Sequence, residues 1–235
     1  MPACPEPKEG TPAVLGRLIK ASAVVIGVGL FATGCAVTPV KMGSAAIVGN
    51  DRISLATLDT EAANLSQAAK KYPGVVTLTP TQVTQATLTW LIRYQVQEEL
   101  AVQAGITVSP AQEVAALNSA VASAKAAAEQ QGLTNVTQEL ILAASGVPPS
   151  TSGELGRYEA ITNMYLTRAG GDTTAGTNKL DQAECQAAKA LNIQVNPQFG
   201  QLDYSGLQVV SAPSSVSAPA GPKVTASPIA TAPAC

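Results

Sequence analysis

Two stretches carry the same helix-start chemistry, Thr79-Pro80-Thr81-Gln82 and Ser109-Pro110-Ala111-Gln112, and together they constrain the fold more than any other feature. In each, a hydroxyl can accept from the amide three residues on. A proline fills the first turn, where its missing N–H costs nothing, and a Gln can reach back to the capping residue's own N–H. The first predicts a helix over 80–104, closed by Gly105; the second opens another helix ending near Gly132. Within the first, Leu88, Leu91, Ile92, Val96 and Leu100 form an inward stripe. Trp90 and Tyr94 lie one turn apart and widen the apolar surface sideways.

The same periodicity extends through the middle of the chain. Ser54 starts a helix in which Leu55, Leu58, Ala62, Leu65, Ala69 and Tyr72 repeat at helical spacing until Pro73-Gly74 stops it. A short helix over 135–144 precedes the breaker Gly146-Val147-Pro148-Pro149, and a longer one over 152–169 presents Leu155, Tyr158, Ile161, Tyr165 and Leu166 before Gly170-Gly171. A sixth is expected over 179–191. Strand signals flank these helices: 45–48 and 52–54 around the turn Gly49-Asn50-Asp51, read as a small hairpin or kinked strand, and NIQVN at 192–196 before Pro197. The fold class is therefore mainly α, with about six helices and short strands at either end.

Composition excludes several functions. There is no histidine, which removes Ser-His-Asp and Cys-His nucleophile pairs and histidine-containing zinc sites. Lys+Arg 14 against Asp+Glu 16 gives no electrostatic reason for a nucleic-acid partner. Glu98-Glu99 point about 100° apart on a helix and form a solvated face rather than an acid–base pair. Gly170-Gly171-Asp172-Thr173-Thr174 lacks the lysine and strand context of a phosphate loop. The four cysteines, Cys4, Cys35, Cys185 and Cys235, show no metal-ligand spacing, so neither metal nor cofactor is expected and the chain is read as a non-enzyme. Cys185 is expected as a small buried hydrophobe inside a helix and Cys235 as the end of a flexible tail, unpaired with each other.

Arg17 and Lys20 precede an uncharged apolar run over 21–34 that ends in small residues and then Cys35, the layout of a secretory signal peptide. Ala32-Thr33-Gly34-Cys35 resembles a bacterial lipobox, which implies signal removal and a diacylglycerol thioether on Cys35. Ala32 stands where a bulky aliphatic is usual, and the leader before Arg17 is long. The alternatives are a cleaved signal with an accidental cysteine, or an uncleaved anchor over 21–40. That anchor has the roughly 20 residues a span needs but is interrupted by Gly34, Thr38 and Pro39. From Ser211 onward Pro, Ala and Ser dominate, and such a segment cannot bury enough apolar surface to order itself. The chain thus divides into a signal peptide (1–34), a tether (35–43), a helical domain (44–210) and a disordered tail (211–235).

The runs AAIVGNDRISLATLD, LTWLIRYQVQEELAVQAGITVSPAQ and LNIQVNPQFGQLD, in that order, resemble the SurA N-terminal-like chaperone domain of bacterial lipoproteins and parvulin-type foldases. Val48-Gly49-Asn50-Asp51-Arg52-Ile53 resembles its strand-turn-strand, Gly105-Ile106-Thr107-Val108-Ser109 its helix junction, and Val195-Asn196-Pro197-Gln198-Phe199-Gly200 its closing strand. Coverage is about 44–203. The resemblance implies that the N- and C-terminal strands pair beneath the helices, and that a surface holds unfolded clients. The stretch before NIQVN is too short for an inserted isomerase domain, so isomerase activity is not implied.

The expectation is a lipid-anchored protein on the outer face of the cell membrane with holdase-like chaperone activity towards unfolded secreted or envelope proteins. The alternative is an envelope adaptor that binds one folded partner. Trp90, Tyr94, Tyr158 and Tyr165 are the candidate client-binding residues, and Cys35 is the candidate lipidation site. Aromatics at helical spacing in an aromatic-poor chain equally serve as its core.

Overall fold

The first strands are joined at Gly49, whose φ of +61° lies in the left-handed region that a side chain resists. Its N–H donates to the Leu191 carbonyl at 2.6 Å, and a Cβ there would stand 2.9 Å from Leu191 Cδ2. The computed structural model describes residues 42–212. Residues 1–41, where a signal peptide, Cys35 and most of a tether are expected, and residues 213–235, where a disordered tail is expected, lie outside the described residues.

β1 (Ser44–Val48) and β2 (Asp51–Ser54) form an antiparallel hairpin, the first of the two forms the sequence allows. Six helices follow: α1 (Leu55–Lys71), α2 (Pro80–Ala104), α3 (Pro110–Gln130), α4 (Gln138–Ala144), α5 (Ser152–Ala169) and α6 (Thr174–Ala190). A 3-10 turn, Pro149–Thr151, joins α4 to α5. β3 (Gln194–Val195) then returns to the other edge of β1, with Ala46 opposite Val195 and Ile47 opposite Gln194, so β1 is the centre of a three-stranded sheet. Asn196 extends the junction, its amide donating to the Ala45 carbonyl at 2.9 Å and its side chain to the Ser44 carbonyl at 3.1 Å. Six helices with short paired strands near both ends of the domain match the coarse expectation.

Both capping boxes form. Gln82 N–H donates to Thr79 Oγ1 at 3.3 Å and Gln82 Oε1 accepts from Thr79 N–H at 2.9 Å; the Ser109–Gln112 pair repeats this at 3.4 and 2.8 Å. Ser54 Oγ accepts from Thr57 N–H at 3.0 Å and so ends β2 and begins α1. Replacing Ser109 by Ala leaves that first-turn amide without its protein acceptor, and urea titration should show a loss of about 1 kcal/mol. An unchanged midpoint would mean that water serves the α3 terminus equally well.

The structure moves several boundaries. α4 begins at Gln138 rather than 135, because Thr137 Oγ1 caps it at Leu140 N–H. α6 begins at Thr174 rather than 179, capped by Thr173. The closing strand shrinks to two residues. The sequence reading also passed over an antiparallel hairpin, β4 (Gln201–Asp203) with β5 (Gln208–Val210). It packs on α2 through buried Leu207 and Val209, and Val209 N–H donates to Thr89 Oγ1 at 2.9 Å.

The main core joins sheet and helices: Ala45, Ala46, Val48 and Ile53 meet Leu58 of α1, Leu88, Ile92, Val96 and Leu100 of α2, and Leu180, Ala187 and Ala188 of α6. A second cluster around Leu65, Ala68, Val83, Leu140 and Ala143 joins α1, α2 and α4. α3 packs chiefly on α5. Gly156 makes the close approach possible, since a Cβ there would meet the Glu113 carbonyl oxygen at 2.7 Å. Arg157 spans three helices, bonding both carboxylate oxygens of Glu98 on α2 and donating to Glu113 on α3 at 2.9 Å. Among the described residues no helix is long and apolar enough to cross a membrane.

One expectation fails on α6. The face of α6 in the core carries Leu180, Ala187 and Ala188, and Cys185 falls on its half-buried flank instead of in that core. Cys185 is disulfide-bonded, and its partner lies outside the described residues.

Candidate functional site

α2 turns two faces to the protein. One carries Leu88, Ile92 and Val96 into the core; the other brings Trp90 and Tyr94 against α4, the 3-10 turn and α5, where they meet Leu142, Val147, Leu155 and Tyr158. The ring centroids of Trp90 and Tyr94 are 5.8 Å apart, those of Trp90 and Tyr158 5.7 Å at an interplanar angle of 80°, and those of Tyr94 and Tyr158 6.4 Å at 69°. The two contacts with Tyr158 are edge-to-face, which suits the ring quadrupoles, while Trp90 and Tyr94 are tilted at 36° to each other. Three of the four candidate aromatics thus come together. Tyr165 does not join them; it packs beside Leu166 on the main core and beside Ile161, and its hydroxyl donates to the Lys179 carbonyl at 3.4 Å.

Tyr94 is buried, and its hydroxyl pairs with Thr151 Oγ1 at 3.0 Å. Burial pushes the phenols of both Tyr94 and Tyr158 well above the ordinary tyrosine value. Trp90 keeps part of its surface in solvent. Its indole N–H donates to the Ser145 carbonyl at 3.3 Å, and the Arg93 guanidinium lies 5.2 Å from its ring centroid. Arg93 also donates to the Leu207 and Gly206 carbonyls at 3.2 and 2.8 Å, fixing the β4–β5 turn over α2. Leu207 sits there at a φ of +46°, a conformation unusual for a branched side chain, held by its own burial and by Arg93.

Three shallow clefts surround the N-terminal half of α2 and share walls. One of about 290 Å³ lies beside the aromatic cluster, lined by Leu78, Gln85, Trp90, Arg93 and Val209 among others. A second of about 590 Å³ runs between α1 and α2, walled by Ala62, Ala69, Val76, Leu78 and Val83, and a third of about 370 Å³ is lined by Pro80, Thr84, Gln85, Phe199 and Ala212. Leu78 belongs to the first two, Gln85 to the first and third, and Pro80 and Thr84 to the second and third. Sequence reasoning missed this surface because small and β-branched residues build it. The available signal was the Ala-rich flank of α1 facing the short apolar run Val75-Val76-Thr77-Leu78.

Behind the aromatic cluster lies a carboxylic acid that the sequence did not single out. Burial pushes Glu184 up to about 7; Asp181 adds to the rise, while the Arg93 charge and the Tyr158 hydroxyl oppose it. Its buried Oε1 accepts no hydrogen bond from the described residues. Glu98 and Glu99 face different partners, Arg157 and Gln103. No group of three His, Cys, Asp or Glu among the described residues is arranged to hold a metal. What the surface offers is apolar contact interleaved with amides and hydroxyls such as Gln82, Gln85 and Thr84, two aromatic rings, Trp90 and Phe199, and two cations, Arg93 and Lys70. Comparison with protein-family models, with curated proteins and with solved structures gives no match to this chain.

Proposed function

We propose that the chain is a lipid-anchored, extracytoplasmic holdase of the SurA N-terminal-like kind, without isomerase activity, which shields unfolded secreted or envelope proteins from aggregation. The observation that carries this reading is the joined ring of clefts around α2. It is shallow and open. The α1–α2 cleft is walled mostly by Ala, Val, Leu and Pro, while the two clefts beside it add Gln82, Gln85, Thr84 and Thr89 with Trp90, Arg93 and Phe199. This mixture is suited to extended segments of varied sequence, whose backbone the amides can hold while their apolar side chains meet the first cleft. Weak contacts spread over such a surface favour retention with release and need no cofactor. The pairing of β3 with β1 across the whole helical region supports the family reading. The disulfide at Cys185 is consistent with an oxidising, exported location.

The test is light scattering of several unrelated, chemically unfolded proteins mixed with stoichiometric amounts of residues 36–235. Suppression of aggregation for most of them is expected. Ala63, an exposed residue on the wall of the large cleft, tests the location. Ala63→Glu puts a charge into the apolar groove without touching the core, and about three-fold more chain should then be needed for the same suppression, a loss of roughly 0.6 kcal/mol. Val114→Glu, on an exposed position of α3, should change nothing. If no unfolded protein is protected while one folded envelope protein is bound, the chain is an adaptor and the holdase reading is overturned.

A further inference from the structure

We infer that the joined clefts around α2 select extended apolar segments bracketed by acidic residues, with Lys70 and Arg93 as the two receiving cations. This names the client class of the holdase reading and rests on it.

Charge is the first support. Among the described residues that line the three clefts, the charged side chains are Lys70 and Arg93, and no carboxylate joins them. The chain as a whole leans the other way, with Asp+Glu 16 against Lys+Arg 14. Acids on the neighbouring elements are turned to other partners: Glu61 accepts from Ser150 Oγ, and Glu139 pairs with Lys71 at 2.6 Å and accepts from the Tyr72 hydroxyl at 3.3 Å. Lys70 stands exposed in the last turn of α1, with no ion pair or hydrogen bond among the described residues. Arg93 donates to the neutral Gly206 and Leu207 carbonyls and lies over Trp90, and none of these cancels its charge. Its acidic neighbour Glu184 is pushed up to about 7 by burial, so at pH 6 it is a weak counter-charge.

Spacing is the second. The cleft of Lys70 meets α2 at Pro80, Val83 and Thr84, and Arg93 lies nine to thirteen residues further along that helix than Thr84 and Pro80. At the rise of an α-helix this separates the two cations by about 14–20 Å, which an extended peptide covers in roughly four to six residues. Between them the wall offers Leu78 and Val83 for apolar side chains. It also offers backbone partners. Gln82 uses its Oε1 on Thr79 and Gln85 its Nε2 on Phe199 and Ser211, so Gln82 Nε2 remains as a donor and Gln85 Oε1 as an acceptor among the described residues. A strand of five apolar residues with a carboxylate at each end fits this order of groups.

The experiment is fluorescence anisotropy of labelled heptapeptides, each with the centre Val-Ala-Val-Thr-Val between two Glu, two Gln or two Lys, titrated with the full chain at pH 6 and low salt. Exposed ion pairs are individually weak, so two of them should make the Glu-flanked peptide bind about ten-fold more tightly than the Lys-flanked one, with the Gln-flanked one between. The net charge of the chain opposes this order, so long-range attraction does not produce it. Salt at about 0.5 M should shrink the difference to less than roughly two-fold. Lys70→Glu is expected to reduce the ten-fold preference to about two-fold or less, whereas Lys125→Gln, which removes a charge from exposed α3, should leave it intact. Equal binding of the three peptides, or tighter binding of the Lys-flanked one, overturns the inference and leaves the holdase reading standing. An acidic preference that survives Lys70→Glu overturns it as well. If no peptide binds, the inference falls, and light scattering with unfolded proteins decides separately whether the holdase reading falls with it.

Discussion

Replacing Ile92 by Ala is expected to lower the unfolding free energy by about 3–4 kcal/mol, a large part of what holds a domain of this size together. Ile92 is fully buried on α2, in the cluster that gathers β1 and β2, Leu58 of α1 and the Ala187-Ala188 face of α6. The alanines of β1 and α6 are already the smallest residues that can pack there, so neighbouring side chains have little with which to fill the space left behind. The cavity term therefore adds to the transfer term rather than relaxing away. Ile92→Val should cost about 1 kcal/mol, and Val102→Ala, on an α2 position that is 75% exposed, close to nothing. Urea titrations of the three variants order these effects. A small change at Ile92 would mean that the surrounding side chains close over the space it leaves.

The centrality of α2 was legible because its signals are local. The Thr79–Gln82 box, the 3.6-residue stripe and the left-handed Gly105 each need only a few neighbouring residues to act. Where the deciding partner is distant, the sequence misled. Residues 174–178 look like loop because Gly176 is a poor helix former. The structure accepts it in the first turn of α6 because the Gly171 carbonyl comes so close that a Cβ would collide. The β4–β5 hairpin has three-residue strands with no clear alternation, too short to be stable alone. Its support is the surface of α2, where Thr89 and Arg93 hold its backbone and Leu207 and Val209 are buried, and the α2 half of that contact lies outside 201–210. The two-residue β3 exists because β1 offers an edge, not because its own sequence is strongly β-forming.

For the candidate site the division is similar. Trp90 and Tyr94 are one turn apart, and that alone places them on one side of α2. Tyr158 joins them only because α5 crosses at that level, whereas Tyr165, two turns further along α5, meets the main core. Arg93 was readable in principle, three residues after Trp90, yet its hold on the 206–207 carbonyls depends on a hairpin the sequence did not announce. Cys185 is expected as a buried hydrophobe because cysteine inside a helix commonly packs as one. Its register puts it on the flank, where covalent chemistry rather than packing determines its role.

Glu184 is where the fold gives up stability near neutral pH, and removing its charge should return it. The folded chain keeps a proton on this carboxyl up to about pH 7, whereas the unfolded chain releases it near the ordinary value of 4.5. Between those limits the folded state binds more protons, so stability falls as pH rises through this window and is lowest, on this account, above pH 7. The groups that face the carboxyl are Arg93 from α2, Tyr158 from α5 and Asp181 on its own helix. Arg93 is already shared with the Leu207 and Gly206 carbonyls and the face of Trp90, which leaves the desolvation of Glu184 incompletely offset. Glu184→Gln keeps the shape and removes the charge. At pH 8 the variant should be about 1–3 kcal/mol more stable than the parent, the upper part of that range being reduced by whatever attraction to Arg93 is lost. At pH 4.5, where the parent carboxyl is itself largely neutral in the folded chain, the two should unfold within about 0.5 kcal/mol of each other. Thermal unfolding of both proteins from pH 4.5 to 8 measures this directly. If Glu184→Gln is instead less stable at pH 8 and equal at pH 4.5, Glu184 is an ionised partner of Arg93 and the packing of α6 on α2 depends on that ion pair.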